Sequence, residues 1–115
     1  MSYDISLIDP STGKPLQLVE PLMVTCGIEI TDANIGITWN YAPHFYRVLG
    51  KQGLHTIYGL TGAESIKLLE QAIEQLADNT GWTPYFTPTE GNAKRALLDL
   101  ANLARLCPDG VWDGD

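Results

Sequence analysis

The segment from residue 41 to residue 58 carries the side chains best suited to ligand binding. It contains no Asp or Glu and holds both histidines of the chain. It runs into Gly59 and Gly62, where a helix is expected to begin, and free N–H groups at a helix N-terminus attract anions. With two cations from a later helix, the segment predicts a site for a nucleotide-like or other small anionic ligand. The candidate ligand-binding residues are Tyr41, His44, Arg47, Tyr58, Lys94 and Arg95.

A structural interpretation of the same segment stays open. Aromatic and aliphatic side chains such as Phe45, Tyr46 and Val48 more often pack in a core than line a pocket. The cations would then balance acidic neighbours, and any binding function would lie elsewhere on the molecule.

Acidic residues outnumber basic ones in this chain. Of its 115 residues, 14 are Asp or Glu and 7 are Lys or Arg, so the formal net charge is −7. A negative surface repels a phosphate backbone, so direct nucleic-acid binding is not expected. The same charge is compatible with a basic protein partner. The candidate partner-binding residues are Glu70, Glu74, Asp109, Asp113 and Asp115.

Catalytic and metal-binding motifs are missing from the sequence. It has no Gly-x-Ser-x-Gly, no Walker-type loop, no His-Glu-x-x-His and no Cys-x-x-Cys. His44 and His55 lack a Cys or carboxylate at ligand spacing. We therefore predict no catalytic residue, no cofactor and no metal, and a binding protein is favoured over an enzyme.

The remaining reactive side chains have simpler structural roles. Glu64 and Glu90 each follow a threonine at the spacing of a helix capping box. Cys26 lies on the apolar face of a predicted strand, which favours a place in the core. Cys107 follows a predicted helix C-terminus, where the helix dipole disfavours a thiolate.

The first forty residues show the period-two alternation that is typical of strands. Apolar and polar residues alternate in residues 3–7 and 16–18, around turn-forming residues 9–14. They alternate again in residues 24–30 and 35–41, around a turn at residues 32–34. We therefore expect two antiparallel hairpins, one joining the first pair of strands and one joining the second.

The second half shows helical periodicity instead. Pro43 predicts the start of a short helix that ends at Gly50. Thr61 and Glu64 have capping-box spacing, and the first long helix is expected to run from there to about residues 79–81.

The last helix is expected to begin with a second capping box. This box would join Thr87 to Glu90, with Pro88 at the first helical position. Its inward residues are predicted to be Ala93, Ala96, Leu97, Leu100, Ala101, Leu103 and Ala104, and its outward residues Arg95, Asp99 and Asn102.

These elements predict an α+β fold in one domain of residues 1–115. N-terminal antiparallel hairpins with about four strands would pack against two main C-terminal helices and one short helix. The acidic end, residues 107–115, would be either a strap docked by Trp112 or a frayed tail.

Neither a membrane span nor an export signal is indicated. No apolar run approaches the roughly 18 residues that a membrane helix requires, and the first residues do not have a signal peptide's pattern. We therefore expect no membrane association and a cytoplasmic location.

Several segments resemble a family of small phage and prophage proteins of uncharacterised function. They are SYDI at residues 2–5, NYAPHFYRVL at 40–49, TIYGLTGAES at 56–65, TEGNAKRAL at 89–97 and PDGVWDGD at 108–115. Residues 20–36 match this family poorly. The resemblance implies a phage or prophage source and a host-cell cytoplasmic setting, and it implies no catalytic residue.

Two function hypotheses follow from the sequence. The first is an acidic phage-type accessory protein that binds a host or phage protein, with an inhibitor or anti-defence role. The second is a small-ligand or nucleotide-binding protein, acting as a sponge, that uses residues 41–58. Self-association into a homo-oligomer is compatible with either.

Overall fold

The computed structural model describes residues 2–25 and 27–115. The predicted position of Cys26 on an apolar strand face lies outside the described residues. The chain forms strands and then helices, with a last strand at its C-terminal end. In order, the elements are β1 (Ser2–Ile8), β2 (Gln17–Met23), β3 (Glu29–Asp32), β4 (Asn34–Thr38), α1 (Ala42–Leu49), α2 (Gly62–Glu74), α3 (Glu90–Leu106) and β5 (Val111–Gly114).

The α+β fold class predicted from the sequence is confirmed. Two antiparallel sheets pack with two long C-terminal helices and one short helix. Two 3₁₀ turns, Trp39–Tyr41 and Gly53–Ile57, flank α1. The buried apolar side chains of β1 and β4, such as Ile5 and Ile37, share one core with those of α2 and α3, such as Leu69 and Leu100.

The pairing of the strands differs from the two predicted hairpins. β1 lies between β4 and β5, and β2 pairs with β3 in a separate sheet. The first predicted hairpin is reduced to one isolated bridge between Ile8 and Pro15. Alternation within a strand indicates which face is buried, but it does not select the partner strand. The strands that pair with β1 are β4 and β5, and β5 lies more than a hundred residues away along the chain.

The C-terminal residues form a docked strand, so the strap alternative is the one observed. Trp112 is 1% exposed and pairs with Leu7 across β1 and β5. On its other edge, the Trp112 N–H donates to the Leu60 carbonyl at 2.9 Å, and the Gly59 N–H donates to the Trp112 carbonyl at 2.9 Å. β5 is therefore held on both edges.

The predicted start of α2 is confirmed and its predicted end is wrong. The Thr61 hydroxyl accepts from the Glu64 N–H at 3.1 Å, and the Glu64 carboxylate accepts from the Thr61 N–H at 2.9 Å. The helix ends at Glu74 instead of residues 79–81. The chain then turns to bring Asn79 against Gly91 at the start of α3.

The predicted capping box of α3 is wrong by two residues. Thr89, rather than Thr87, is the cap, and its hydroxyl accepts from the Asn92 N–H at 3.1 Å. Pro88 therefore precedes the helix. Glu90 is the first helical residue and is bonded to other elements instead of to the cap.

The inward face of α3 is confirmed for all seven predicted residues, and one outward residue is misplaced. Arg95 and Asn102 are exposed, but Asp99 is half-buried. It accepts hydrogen bonds from the Thr25 N–H at 3.1 Å and the Thr25 hydroxyl at 2.9 Å. Burial raises the pKa of Asp99, although the two hydrogen bonds oppose that shift. Asp99 therefore holds Thr25, two residues after the end of β2, against α3.

Candidate functional site

The predicted ligand site does not assemble around Tyr41. This side chain is fully buried and packs edge-on against Phe45 and Tyr85. Its hydroxyl donates to the main-chain oxygen of Tyr85. Tyr41 therefore belongs to the core together with Phe45, whereas Tyr46, which the structural interpretation of residues 41–58 also assigns to the core, is 51% exposed.

His44 and Arg47 hold the segment that precedes α3. His44 Nε2 lies 2.8 Å from the Pro88 carbonyl, and the Arg47 guanidinium pairs with the Glu90 carboxylate at 2.9 Å. Glu90 also accepts from the Ala77 N–H at 3.3 Å. This backbone hydrogen bond and Arg47 hold the pKa of Glu90 below its usual range. Both predicted ligand residues thus have partners within the chain.

Tyr58 belongs to a different region from Tyr41 and His44. Its hydroxyl donates to the Asp115 main-chain oxygen at 3.2 Å, beside His55, whose Nε2 lies 2.7 Å from the same oxygen. The polar groups of residues 41–58 therefore face two places, the segment before α3 and the C-terminal strand.

The two predicted ligand-binding cations of α3, Lys94 and Arg95, also have different surroundings. Lys94 pairs with Asp78 at 3.0 Å, whereas Arg95 is exposed at a cavity of about 230 Å³. Tyr41, Trp82 and Asn92 also line this cavity. Its volume is below the roughly 300–1,000 Å³ of typical small-molecule pockets. Of the six predicted ligand residues, this cavity brings together Tyr41 and Arg95.

The predicted acidic residues likewise fall into two sets. Glu70 pairs with Arg105 of α3 at 2.9 Å, and Glu74 and Asp109 are exposed. Asp113 and Asp115, by contrast, lie at β5, next to β1. The sequence did not single out Asp4, which the structure places beside them.

Asp4, Asp113 and Asp115 form one acidic surface, which we name the acidic sheet face. All three are exposed. The Asp4 N–H donates to Asp115 Oδ1 at 2.9 Å, and Asp113 lies opposite Ser6 across the ladder. Asn34 Nδ2 donates to Asp4 Oδ1 at 2.7 Å. In the described part of the chain, the ion pairs involve other residues.

The sequence pattern around Asp4 indicates that its side chain points outward, but it does not indicate which residues lie beside it. Its position in the alternation of β1 directs it away from the core. Its pairing with residues near the C-terminus is a contact across 111 positions of the chain. A period-two pattern does not contain that information.

Tyr58 reports the charge of the acidic sheet face. Burial, followed by the nearby charges of Asp115, Asp113 and Asp4, raises its pKa from 10.0 to about 12. The neutral phenol is therefore favoured in the folded state. The stability that Tyr58 contributes is present below pH 10 and is lost as the pH rises toward 12.

We expect the double variant Asp113→Asn with Asp115→Asn to lower the pKa of Tyr58, because two of the negative charges that oppose ionisation are removed. The pKa should stay above the ordinary value, since burial remains. Tyrosinate absorbance over an alkaline pH series measures this, and Tyr58→Phe identifies the signal. An unchanged pKa in the double variant would contradict the proximity of these charges.

A groove lies next to the acidic sheet face, along β4. Ser2, Gly36 and Thr38 line it from the sheet, and its volume is about 700 Å³. Two exposed apolar side chains also line it, Ile28 at 59% exposure and Phe86 at 64%. Exposed apolar side chains that share one groove are a feature of binding surfaces.

Cys107, the residue directly after α3, has no feature of a nucleophile. Cys107 is buried at the helix C-terminus, and burial raises the pKa of its thiol. Within residues 2–25 and 27–115, no group of three or more His, Cys, Asp or Glu could hold a metal ion.

No family model, no curated protein and no solved structure matches this chain. In the described residues, no helix has both the length and the apolar character needed to cross a membrane.

Proposed function

We propose that this protein acts without catalysis, by binding a protein partner through the acidic sheet face. The observation that carries the proposal is the position of Asp4, Asp113 and Asp115 on one exposed face, outside the ion pairs of the described residues. The pairing of β1 with β5 places Asp113 opposite Ser6, and the Asp4 N–H donates to Asp115 Oδ1 at 2.9 Å. A charge pattern held by a sheet gives electrostatic complementarity with little ordering cost on binding.

The charge of this face favours a basic protein surface as the partner. Three carboxylates attract Lys and Arg side chains over a distance of about a Debye length and repel nucleic-acid phosphates. The resemblance to phage proteins extends the proposal. In this proposal the protein is a phage or prophage accessory protein in the host cytoplasm, and it inhibits a host or phage protein by covering a basic surface.

The alternative of a small anionic ligand has less support from the geometry. Arg47 and Lys94 are engaged by Glu90 and Asp78, and Tyr41 is in the core. Bringing these groups onto one ligand would require breaking two ion pairs and opening the core. Of the predicted cations, Arg95 at the 230 Å³ cavity is what still supports that hypothesis.

The acidic residues of α2 provide a matched control for the acidic sheet face. Glu70 and Glu74 belong to α2 rather than to the β1–β5 ladder, and the charge of Glu70 is compensated by Arg105. Glu70→Gln with Glu74→Gln removes as much charge as Asp113→Asn with Asp115→Asn. A difference between these two double variants therefore reports position rather than total charge.

We expect the Asp113→Asn, Asp115→Asn variant to capture about tenfold less of its partner than the wild type, which corresponds to about 1.4 kcal/mol. The Glu70→Gln, Glu74→Gln variant should stay within about twofold. The measurement is capture from bacterial lysate on the immobilised protein, quantified by mass spectrometry at two salt concentrations. Equal losses for both variants would show non-specific ion exchange and would overturn the proposal.

A further inference from the structure

β4 is an outer strand of the three-stranded sheet, whereas the opposite side of that sheet is covered. The order is β4-β1-β5, and β5 is bonded on its outer edge by residues 59–62. Within the described residues, β3 pairs with β2 rather than with β4. The outer edge of β4 therefore faces the groove that Ser2, Gly36 and Thr38 line.

The register shows which main-chain groups point into that groove. Hydrogen-bonded and non-hydrogen-bonded pairs alternate along an antiparallel ladder. The Leu7 N–H donates to the Ala33 carbonyl at 2.9 Å, so Ile35 and Ile37, at even steps from Ala33, direct their main-chain groups toward β1. Asn34, Gly36 and Thr38 direct theirs outward.

This edge lacks the protection that sheet edges usually have. β4 has the sequence NIGIT, with no charged residue and no proline. A Cβ placed on Gly36 would meet only the Tyr3 carbonyl, at 3.9 Å, so the space above Gly36 is open. An uncharged, proline-free edge is a template for adding another strand.

The acidic sheet face begins one strand away from this edge. Asp4 is the direct partner of Gly36 across β1 and β4. Strands in a sheet are spaced by about 4.8 Å, so an added strand would lie about 9.6 Å from β1. Because Gly36 has no side chain, a Lys or Arg of the added strand can extend over it toward the Asp4 carboxylate.

We propose that the partner contributes an extended segment that adds to the outer edge of β4 as a further strand. Its Lys or Arg side chains face Asp4, and its apolar side chains contact Ile28 and Phe86. This inference rests on the proposed function, because it assigns the binding mode of the same basic partner. A second copy of this chain fits worse, since pairing two β4 edges would bring two acidic sheet faces together.

The test uses Gly36→Pro and Gly36→Ala as a matched pair. Proline removes the outward N–H and is tolerated at an edge strand whose N–H faces solvent, whereas alanine keeps the N–H. A random peptide library displayed on phage is selected on the wild type. We expect enriched peptides that alternate Lys or Arg with apolar residues and lack proline.

Affinity for these enriched peptides should fall about tenfold or more in Gly36→Pro and stay within about twofold in Gly36→Ala. Circular dichroism checks that both variants are folded. As a second measurement, an enriched peptide added to the wild type should slow amide hydrogen exchange at Asn34, Gly36 and Thr38. This readout does not depend on the proline variant.

Each outcome separates the two proposals. If Asp113→Asn with Asp115→Asn weakens binding while Gly36→Pro does not, the acidic sheet face stands and strand addition is overturned. If the enriched peptides bind Gly36→Pro as well as the wild type and leave those amides unprotected, strand addition is likewise overturned. A wild-type dimer that Gly36→Pro dissociates would assign the edge to a second copy instead. If Gly36→Pro weakens binding and the double variant does not, the acidic sheet face fails.

Discussion

Trp112→Ala is expected to lower the free energy of unfolding by about 4 kcal/mol, in the range for truncating a fully buried large aromatic side chain. Trp112 is 1% exposed and is the largest fully buried side chain described. Its indole N–H donates to the Ser65 hydroxyl at 2.7 Å, and that hydroxyl donates to the Gly62 carbonyl at 2.8 Å. The substitution therefore removes a packing contact and a buried hydrogen bond together.

The position of Trp112 makes this effect larger than a local cavity would. Its main chain connects β5 to residues 59 and 60, and its side chain reaches the first turn of α2. A domain of this size has a stability of about 5–15 kcal/mol, so the variant loses a large share of it. Loosening β5 would also release Asp113 and Asp115 from their fixed places beside Asp4.

Urea denaturation followed by fluorescence and circular dichroism measures the loss, and Trp112→Phe is the control. Phenylalanine keeps most of the packing and loses the hydrogen bond to Ser65, so we expect a loss of about 1–2 kcal/mol. A loss below about 1 kcal/mol for Trp112→Ala would show that the strap does not support the fold.

The helices were predictable because their signals are local. The Thr61–Glu64 capping box and the seven inward residues of α3 depend on spacings of three or four residues, and both were found as predicted. The cap of α3 was predicted two residues too early, because Thr87 and Thr89 are each followed by residues that can form the first turn of a helix. Two residues of α1, which is distant in sequence, contact the observed start of α3. His44 lies beside the Pro88 carbonyl, and Arg47 pairs with Glu90.

The strand partners and the candidate site were not predictable by the same reasoning. The alternation of residues 3–7 placed Asp4 on the outward face, but nothing near it indicated that residues 113–115 would pair with it. The carboxylates that pair with the predicted ligand-binding cations could not be predicted for the same reason. Arg47 and Lys94 are paired with carboxylates 43 and 16 positions away, and charge counts along the chain do not reveal such pairs.

Asn92→Ala is expected to lower the free energy of unfolding by about 3 kcal/mol, because it leaves several part-buried polar groups without their partner. Asn92 is 4% exposed at the first turn of α3. Its Nδ2 donates to the Pro84 and Thr87 carbonyls, each at 2.9 Å, and its Oδ1 accepts from Asn79 Nδ2 at 2.9 Å. One side chain thus organises the segment between α2 and α3.

Hydrogen exchange should locate the effect as well as measure it. In Asn92→Ala, the amides of residues 79–89 should exchange faster than in the wild type because this segment opens locally. The amides of β1 and β5 should exchange faster only as far as the lower global stability requires. The exposed Asn102 on the same helix is the matched control, since its side chain bonds only Arg105 among the residues that the structure describes. Asn102→Ala should change stability by less than about 0.5 kcal/mol. Equal losses for the two alanine variants would show that helix propensity, rather than the hydrogen bonds of Asn92, sets the cost. Because Phe86 lies in this segment and lines the groove along β4, Asn92→Ala should also weaken peptide binding there without altering the acidic sheet face.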